Sequence, residues 1–319
     1  MARVVLGIGT SHSPQVNTTP DVWALHADRD AHNPELDFEG LARQAPAWMA
    51  NQLRPEVWQE KYETCQSAVE TLSRALHDAQ PDVVLVIGDD QEELFLDDGK
   101  PAIAVFHGTS VQDLPADPLK MHPSFRPALW AMHGEQPEAY PTNAELGYHL
   151  VSSLTASGFD VTALTRQPEG RTLGHAYTFV RRRLMRDRVV PMVPLFLNCY
   201  YPPNQPSPGR CYDLGRALRY AIDAWPQEVR VALVASGGLS HFVIDEMLDQ
   251  QVLEGLKTHD REKLAAIPDE KLQSGSSEIR NWIAVGGAMD GLDMEVVAYV
   301  PGYRSMAGTG CAMTFALWR

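Results

Sequence analysis

Apolar, strand-like runs that end in glycine and then in a polar side chain place the strongest constraint on how this 319-residue chain folds. Three such runs end in Gly9-Thr10-Ser11-His12-Ser13-Pro14, Gly88-Asp89-Asp90-Gln91 and Gly237-Gly238-Leu239-Ser240-His241. In open α/β sheets the ligand crevice lies beyond the carboxyl ends of the strands, so residues from distant segments can meet there. Together with Glu278, which opens a helix-like stretch, these segments predict a metal-centred site.

Strands alternating with helices predict a three-layer α/β/α fold around a mostly parallel sheet. The first strand is apolar on both faces, as is typical of a strand between two helical layers. Strands are expected at Arg3–Ile8, Asp82–Ile87, Pro101–Phe106, Asp160–Leu164, Val189–Leu197, Val229–Ala235, Met294–Val300 and Gly310–Leu317. Helices are expected at residues 57–79, 143–157, 175–186, 210–224, 245–265 and 278–289.

No segment has the composition of a linker, so residues 1–319 are expected to form a single domain. Asp97–Lys100 is expected to form a turn between the second and third strands. Residues 20–80 and 107–142 are interpreted as insertions, the second of them irregular, and both could cover or border the crevice. Closure over the crevice would exclude water from a bound ring.

The charge balance argues against whole classes of partner. With 41 acidic and 27 basic residues the formal net charge is −14, whereas nucleic acids and anionic membranes attract a basic excess. No apolar run approaches the length of a membrane span. The four cysteines form no CxxC pair, and the amino terminus does not resemble a secretory signal. A reduced, cytoplasmic protein with no nucleic-acid or membrane partner is expected.

Two of the strand ends carry groups that bind metals. His12 lies in a Ser-His-Ser-Pro turn, where a hydrogen-bonded turn histidine is the alternative interpretation. Residues 89–93 crowd four carboxylates and an amide, which is costly unless a cation or a helix terminus compensates. The alternative for this segment is a helix N-cap at Asp89 or Asp90.

Three further residues are candidates for the site. The glycines before His241 allow close approach of a ligand, and a neutral imidazole there suits a general base. His175 follows Gly174 at a predicted helix start, where the dipole favours a neutral ring, although a simple capping or surface histidine is the alternative. Glu278 lies in the first turn of a helix, where the alternative is a glutamate that only interacts favourably with the helix dipole.

In this order the segments resemble the class III extradiol ring-cleaving dioxygenases, the LigB-like family that includes the protocatechuate 4,5-dioxygenase β subunit and the gallate dioxygenases. The resemblance runs through most of the chain. Besides the turns that contain His12 and His241, it includes Tyr201-Pro202-Pro203, Gly209-Arg210-Cys211-Tyr212-Asp213-Leu214-Gly215 and Glu278-Ile279-Arg280-Asn281-Trp282.

The resemblance implies a non-haem Fe(II) enzyme with metal ligands at His12, Gln91 and Glu278. It also implies that His241 is the catalytic base and that His175 contacts the substrate. Two imidazoles and one carboxylate on one face of Fe(II) leave positions open for a catecholate and O₂.

Gln91 departs from the family pattern, which has histidine at this position. An amide oxygen is a poorer donor to iron than an imidazole. Gln91 could ligate through its oxygen, Asp90 or Glu93 could replace it, or the metal could be lost. A histidine of an insertion, His26, His32 or His122, could also complete the set.

The preferred function is O₂-dependent meta-cleavage of a catechol- or gallate-type aromatic acid. One alternative is a non-oxidative metalloenzyme that binds zinc or no metal and uses His241 as base. Another is an inactive partner subunit, since relatives of this kind can work as two-subunit assemblies. A homodimer is the default expectation.

Substrate contacts outside the metal centre are also expected. Arg171 and the arginines at 181–183 could pair with a substrate carboxylate, although such a run more often lies on a solvated helix face. Trp23, Tyr177 and Tyr303 could line an aromatic pocket, although packing in the core is the more common role.

Overall fold

The structure, a computed structural model, describes residues 1–319. Its strands are β1 (Arg3–Thr10), β2 (Val83–Gly88), β3 (Ile103–Phe106), β4 (Ser110–Asp113), β5 (Glu138–Pro141), β6 (Thr162–Leu164), β7 (Met192–Leu197), β8 (Arg230–Ser236), β9 (Met294–Tyr303) and β10 (Gly310–Trp318). Its helices are α1 (Trp23–Ala31), α2 (Phe38–Arg43), α3 (Met49–Gln52), α4 (Pro55–Ala79), α5 (Leu129–Met132), α6 (Ala144–Ala156), α7 (His175–Phe179), α8 (Pro208–Ala224), α9 (Glu246–Lys257), α10 (Arg261–Ala265) and α11 (Ile279–Ala288).

Eight strands form one mostly parallel sheet in the order β6-β3-β7-β2-β8-β1-β10-β9. The four central strands, β7, β2, β8 and β1, are parallel to their neighbours within this group. The antiparallel pairs are β3 with β7, β1 with β10 and β10 with β9. Since β1, β8 and β2 are adjacent and parallel, their carboxyl ends emerge side by side.

Helices cover both faces of the sheet and create two apolar cores. On one face Leu85 and Ile87 of β2 pack with residues of α6, α8, α9 and α11. On the other face Val84 and Val86 pack with α4 and α7. Alternate residues of a strand point to opposite faces, so the continuous apolar run of β2 serves both cores. The predicted three-layer α/β/α fold is therefore confirmed.

Several local predictions need correction. β2 and β3 do not form a hairpin around Asp97–Lys100, because β7 lies between them in the sheet. Residues 107–142 are not wholly irregular, since β4 and β5 pair there as a small antiparallel sheet next to α5. β6, which lies in the predicted strand Asp160–Leu164, is not a buried strand like β2 but an edge strand on which Thr162 and Ala163 are exposed. Apolar composition does not distinguish an edge strand from a central one.

Residues 20–80 contain α1 to α4, and α4 packs its apolar side onto the sheet. Asn143 accepts a hydrogen bond from the Leu146 amide and so caps α6, as predicted. No helix is long and apolar enough to cross a membrane.

Candidate metal centre and substrate cavity

Side chains from three distant segments meet at the carboxyl edge of the central strands. His12 follows β1, Asp89 follows β2, and Glu278 ends a short 3₁₀ turn that leads into α11. Their ligand atoms all lie within 4.8 Å of one another, and all three side chains are buried. His12 and Glu278, 266 positions apart in the sequence, are brought together with Nε2 and Oε1 at 3.6 Å.

Hydrogen bonds fix which nitrogen of His12 faces the cluster. Ser236 donates its hydroxyl proton to the carbonyl of Ala176 at 2.5 Å. Its oxygen is therefore left to accept a hydrogen bond from Nδ1 of His12, at 3.0 Å. In that neutral tautomer Nε2 carries a free lone pair and points to Glu278, as a metal ligand requires.

Glu278 is held by the backbone of the glycine turn after β8. The Gly238 amide donates to Oε2 at 2.7 Å, so Oε1 remains directed at the two imidazoles. Gly237 has φ of +154°, and a Cβ there would lie 2.9 Å from Cβ of Glu278. Glycine at this position therefore lets Glu278 lie close to the backbone of the turn.

Asp89 is a ligand candidate that the sequence marks only as one of the crowded carboxylates of residues 89–93 or as a helix N-cap. No helix follows β2, so the N-cap interpretation of Asp89 is wrong. Asn281 donates to Oδ1 of Asp89 at 3.2 Å, and Gln91 donates to Oδ2 at 3.3 Å. Its position directly after a buried strand was the signal that could have identified it.

Gln91 lies beside the cluster and joins its two carboxylates. Its Nε2 donates to Glu278 at 3.2 Å as well as to Asp89. Amide nitrogen and oxygen are assigned from such networks, and two carboxylates select the nitrogen. A cation between them would attract the amide oxygen instead.

The cluster concentrates buried negative charge. Burial, and then the neighbouring Glu278, raise the pKa of Asp89 to about 6. Burial also acts to raise the pKa of Glu278, but the imidazoles of His241 and His12 outweigh it and hold that pKa well below its ordinary value. Two carboxylates this close favour a cation.

His241 lies on the other side of Glu278. Its Nδ1 donates to the Leu239 carbonyl at 2.7 Å, so its Nε2 is the nitrogen that faces Glu278 Oε1 at 3.5 Å. A Cβ at position 275 would lie 2.0 Å from the imidazole, so Gly275 allows the ring to occupy this place. Burial lowers the pKa of His241, but Cys311 and Glu278 outweigh burial and raise it well above its usual value.

His175 begins α7 and faces His12 edge-on, with ring centroids 4.7 Å apart. Its backbone amide and its Nδ1 both donate to the Glu93 carboxylate, each at 3.0 Å. Burial opposes the charged form, yet Glu93 raises the pKa of His175 to about 9. The expectation of a neutral ring is therefore wrong, because a buried carboxylate outweighs the helix dipole.

Glu93 is itself part of a buried polar chain. His133 Nε2 lies 3.5 Å from Glu93, and its Nδ1 lies 2.8 Å from Asp113 of β4. Tyr140 of β5 donates to Asp113 at 2.6 Å. The small antiparallel sheet thus supports Glu93, which in turn fixes His175.

These groups line a cavity of about 300 Å³. His12, Gln91, His175, His241 and Glu278 lie on one wall, which also includes Tyr200. The opposing residues come largely from the two insertions: His26, Arg29, Met121, Phe125 and Met132. A volume of this size suits one small ring and its substituents.

The residues that the sequence offered as alternative third metal ligands do not belong to the cluster of His12, Asp89 and Glu278. Asp90 uses both oxygens to accept from the amides of Leu94 and Phe95, each at 2.9 Å, and Glu93 holds His175. His26 lines the cavity but accepts or donates only with Thr18. His32 and His122 line a neighbouring outer hollow.

The arginines and aromatic residues that the sequence predicts as substrate contacts do not line the cavity. Arg171 pairs with Asp98, and Arg183 contacts Gln66 and Asn17. Trp23, Tyr177 and Tyr303 do not line the cavity, and Trp23 and Tyr177 pack in the core with their polar atoms on backbone carbonyls. Phe125, Tyr200 and Phe242 line the cavity in their place, and no sequence pattern marked them.

The donor set fits a divalent metal. One imidazole nitrogen and the carboxylates of Asp89 and Glu278 are buried and converge, with no lysine or arginine bonded to either carboxylate. Such mixed nitrogen and oxygen donors suit Fe(II), Mn(II) or Zn(II).

The chain is similar in sequence to two ring-cleaving dioxygenases. The chain is 36% identical over 107 residues to the gallate dioxygenase of Pseudomonas putida, a match that covers 33% of this chain and 30% of that protein. It is 25% identical over 179 residues to the 2,3-dihydroxyphenylpropionate/2,3-dihydroxicinnamic acid 1,2-dioxygenase of Comamonas testosteroni, covering 54% of this chain and 47% of the relative. The matched segments thus span less than half of each relative's length.

A family model gives the broader match. Residues 45–314 match the family described as LigB, the catalytic LigB subunit of aromatic ring-opening dioxygenase. The match contains Asp89, Gln91, His175, His241 and Glu278, while His12 precedes it. Because it spans most of the sequence, this chain belongs to the LigB family of aromatic ring-opening dioxygenases.

Proposed function

We propose that the chain is a non-haem Fe(II) enzyme that uses O₂ for extradiol, or meta, cleavage of a catechol- or gallate-type aromatic acid. The observation that carries this proposal is the convergence of His12, Asp89 and Glu278 beside a cavity that is lined by His12, Glu278, His241 and His175. The names of the two relatives support dihydroxylated and trihydroxylated aromatic acids as the substrate class.

In this proposal His12 and Glu278 hold the metal together with Asp89. Gln91, the ligand predicted from the sequence, is the alternative to Asp89, since its amide oxygen would turn towards a bound cation. When bound, Fe(II) would hold the diol of the substrate and O₂ and activate them for reaction with each other.

His241 acts as the base that removes a phenolic proton. The Leu239 carbonyl holds Nδ1–H, so Nε2 is the atom that accepts the proton. A cation held by Glu278 favours the neutral ring that a base needs, since it offsets the negative charge that otherwise protonates His241. Removal of the proton makes the aromatic ring electron-rich.

His175 acts as a hydrogen-bond donor on the neighbouring side of the cavity. Glu93 binds Nδ1–H, so Nε2–H of the charged ring is free to donate to substrate oxygen. Phe125, Phe242 and Met121 surround the aromatic ring of the substrate with apolar surface and limit access of water.

Anaerobic purification tests the proposal. The protein is analysed for iron, manganese and zinc. Gallate, protocatechuate or catechol is then added, and O₂ uptake is measured with a calibrated oxygen electrode. Iron together with stoichiometric O₂ uptake and a ring-opened product by mass spectrometry supports the dioxygenase. Bound zinc without O₂ uptake supports the non-oxidative metalloenzyme, for which the two carboxylates of the cluster are equally suitable donors.

The same experiment addresses the partner-subunit alternative. The protein is purified alone and assayed with no other chain present. Turnover by this chain alone excludes an inactive subunit, and gel filtration of the active sample measures whether the expected homodimer forms.

A further inference from the structure

Arg29 places a cation on the cavity wall that the chemistry described so far does not use. It lies on α1 in the first insertion, outside the residues matched by the family model. Its side chain is 21% exposed, and it lines the cavity that also contains His12, His241 and Glu278.

The hydrogen bonds leave most of this guanidinium free. Arg29 makes one hydrogen bond, from Nη2 to Asp30 at 3.3 Å. Asp30 is already bound by Arg304, whose Nε and Nη2 donate to it at 2.6 and 2.9 Å. A guanidinium has five N–H donors. Arg29 therefore retains unused donors and a charge that the nearby carboxylate only partly neutralises.

Arg304 also lines the cavity, but all three of its guanidinium nitrogens are hydrogen-bonded. Its remaining Nη1 donates to the side-chain oxygen of Gln15 at 3.0 Å, and the residue is buried. Arg304 thus stabilises the wall, whereas Arg29, with one hydrogen bond and a more exposed side chain, has more donors left for a ligand.

Two aromatic rings hold the Arg29 guanidinium in place. Its Cζ lies 4.5 Å from the centroid of Phe125 and 5.3 Å from that of Phe242. Stacking of this kind covers the face of the guanidinium and leaves its N–H edge available. The Phe242 ring also contacts His241, with centroids 5.6 Å apart. The guanidinium and the proposed base are thus linked through one phenyl ring.

Arg29 lies where the cavity meets an outer hollow. The same side chain lines that hollow together with His32, Asn33, His122 and Phe242. The whole chain has a formal charge of −14, which opposes the approach of an anion. A local cation at this junction offsets that repulsion for a substrate that enters here.

We propose that Arg29 binds the carboxylate of the substrate, and that the enzyme therefore selects aromatic diols with an anionic carboxylate over uncharged diols. This inference rests on the proposed function. The diol lies against His12, Glu278 and His241, and the carboxylate at the other end of the ring accepts hydrogen bonds from Arg29. A guanidinium matches the two oxygens of a carboxylate with paired donors.

Gallate and its methyl ester provide the test, since they share the same triol and differ in the negative charge. The variants are Arg29→Gln, which removes the cation, and Arg29→Lys, which keeps a cation without the paired donors. Arg43→Gln is the matched control, because Arg43 is an exposed arginine on α2. Far-ultraviolet circular dichroism and thermal melting check that each variant is folded.

For Arg29→Gln we expect kcat/KM for gallate to fall about 10- to 100-fold, mostly through KM, as for loss of a charged hydrogen bond. The value for the methyl ester should change less than about threefold. The kcat/KM of Arg29→Lys for gallate should lie between those of wild type and Arg29→Gln. Equal losses for both compounds, or no loss for either, would overturn the role of Arg29.

Anaerobic equilibrium binding separates this inference from the proposed function. Titration calorimetry of gallate and the methyl ester needs no turnover, so it reports on Arg29 even if no ring is opened. Selective loss of gallate binding in Arg29→Gln supports the inference whatever the reaction is. If wild type opens the ring of both compounds with equal kcat/KM and Arg29→Gln binds them equally, the inference fails while the dioxygenase stands. Should Arg29→Gln not fold, the wild-type preference between the two compounds and Arg29→Lys decide the matter.

Discussion

Two walls of one cavity carry opposite charge. The sheet-end wall consists of His12, Gln91, His175, His241 and Glu278, with Asp89 next to His12 and Glu278, and the insertion wall consists of His26, Arg29, Met121, Phe125 and Met132. Cys311 and Glu278 outweigh burial and raise the pKa of His241, whereas burial and the guanidiniums of Arg304 and Arg29 lower the pKa of His26 to about 2. A cation is thus favoured on one wall and an anion on the other.

The two walls also differ in how they are built. The sheet-end wall follows adjacent parallel strands, so its positions are fixed by the sheet and by the two cores beneath it. The insertion wall stands on α1 and on the segment between β4 and β5. We expect changes in the first wall to abolish the reaction, and changes in the second wall to alter selectivity and pH response.

The largest effect is expected for Glu278→Gln. The substitution removes the carboxylate that faces both imidazoles and accepts from Gly238. Metal content after dialysis should fall, and kcat/KM should fall more than about 10³-fold, because several kcal/mol of metal-dependent stabilisation are lost. Glu254→Gln on the exposed side of α9 is the control. Full metal occupancy in Glu278→Gln would show that the cation binds elsewhere.

A pair of near-isosteric variants compares Asp89 with Gln91. Asp89→Asn removes a negative charge from the cluster, whereas Gln91→Met removes a neutral amide. We expect Asp89→Asn to weaken binding of Fe(II) about 10- to 100-fold and Gln91→Met to weaken it less. Anaerobic competition with a chelator gives both affinities. The reverse order would make Gln91 the ligand and Asp89 its hydrogen-bond partner.

His241→Gln should separate proton transfer from metal binding. Since Nε2 of His241 is the proposed base, we expect kcat to fall about 10²- to 10⁴-fold while iron content is retained. Single-turnover measurements with anaerobically bound substrate would locate the loss. Iron loss parallel to the loss of kcat would instead identify His241 as a metal ligand.

Glu93→Gln tests whether the polar chain beneath His175 positions that ring. The carboxylate accepts from both the amide and Nδ1 of His175, and an amide cannot replace both bonds equally. We expect kcat to fall about 10- to 100-fold with little change in metal affinity. Glu92→Gln is a matched neighbour whose carboxylate pairs with Lys100. Similar kcat values for the two variants would contradict the positioning role.

The contrast between the walls explains what sequence could predict. His12, His241 and Glu278 were identifiable because each follows a buried strand or opens a helix, and parallel strands bring such positions together. Asp89 carried the same signal but matched a helix cap equally well, and only the loop after β2 distinguishes the two. Arg29 and Phe125 gave no signal, since they meet through the packing of two insertions whose relative placement no local pattern encodes.

The smallest expected effect concerns the stability of the insertion wall at acid pH. His26 is buried, hydrogen-bonded to Thr18 and close to Arg304 and Arg29, and its pKa is lowered to about 2. Well above pH 6.5 the ring is neutral in both the folded and the unfolded chain, so His26 does not make the stability depend on pH there. Below that pH only the unfolded chain takes up a proton readily, and stability falls by up to about 1.4 kcal/mol per pH unit.

His26→Gln removes this proton uptake and should flatten the loss of stability between pH 6.5 and 5. Urea unfolding at half-unit intervals measures the slope, and His32→Gln, which changes an exposed histidine, should leave the wild-type slope unchanged. If all three proteins lose stability in parallel, the acid sensitivity lies in carboxylates of the sheet-end wall. A flatter slope for His26→Gln alone would place it in the insertion wall, where burial, and then the guanidiniums of Arg304 and Arg29, lower the pKa of His26.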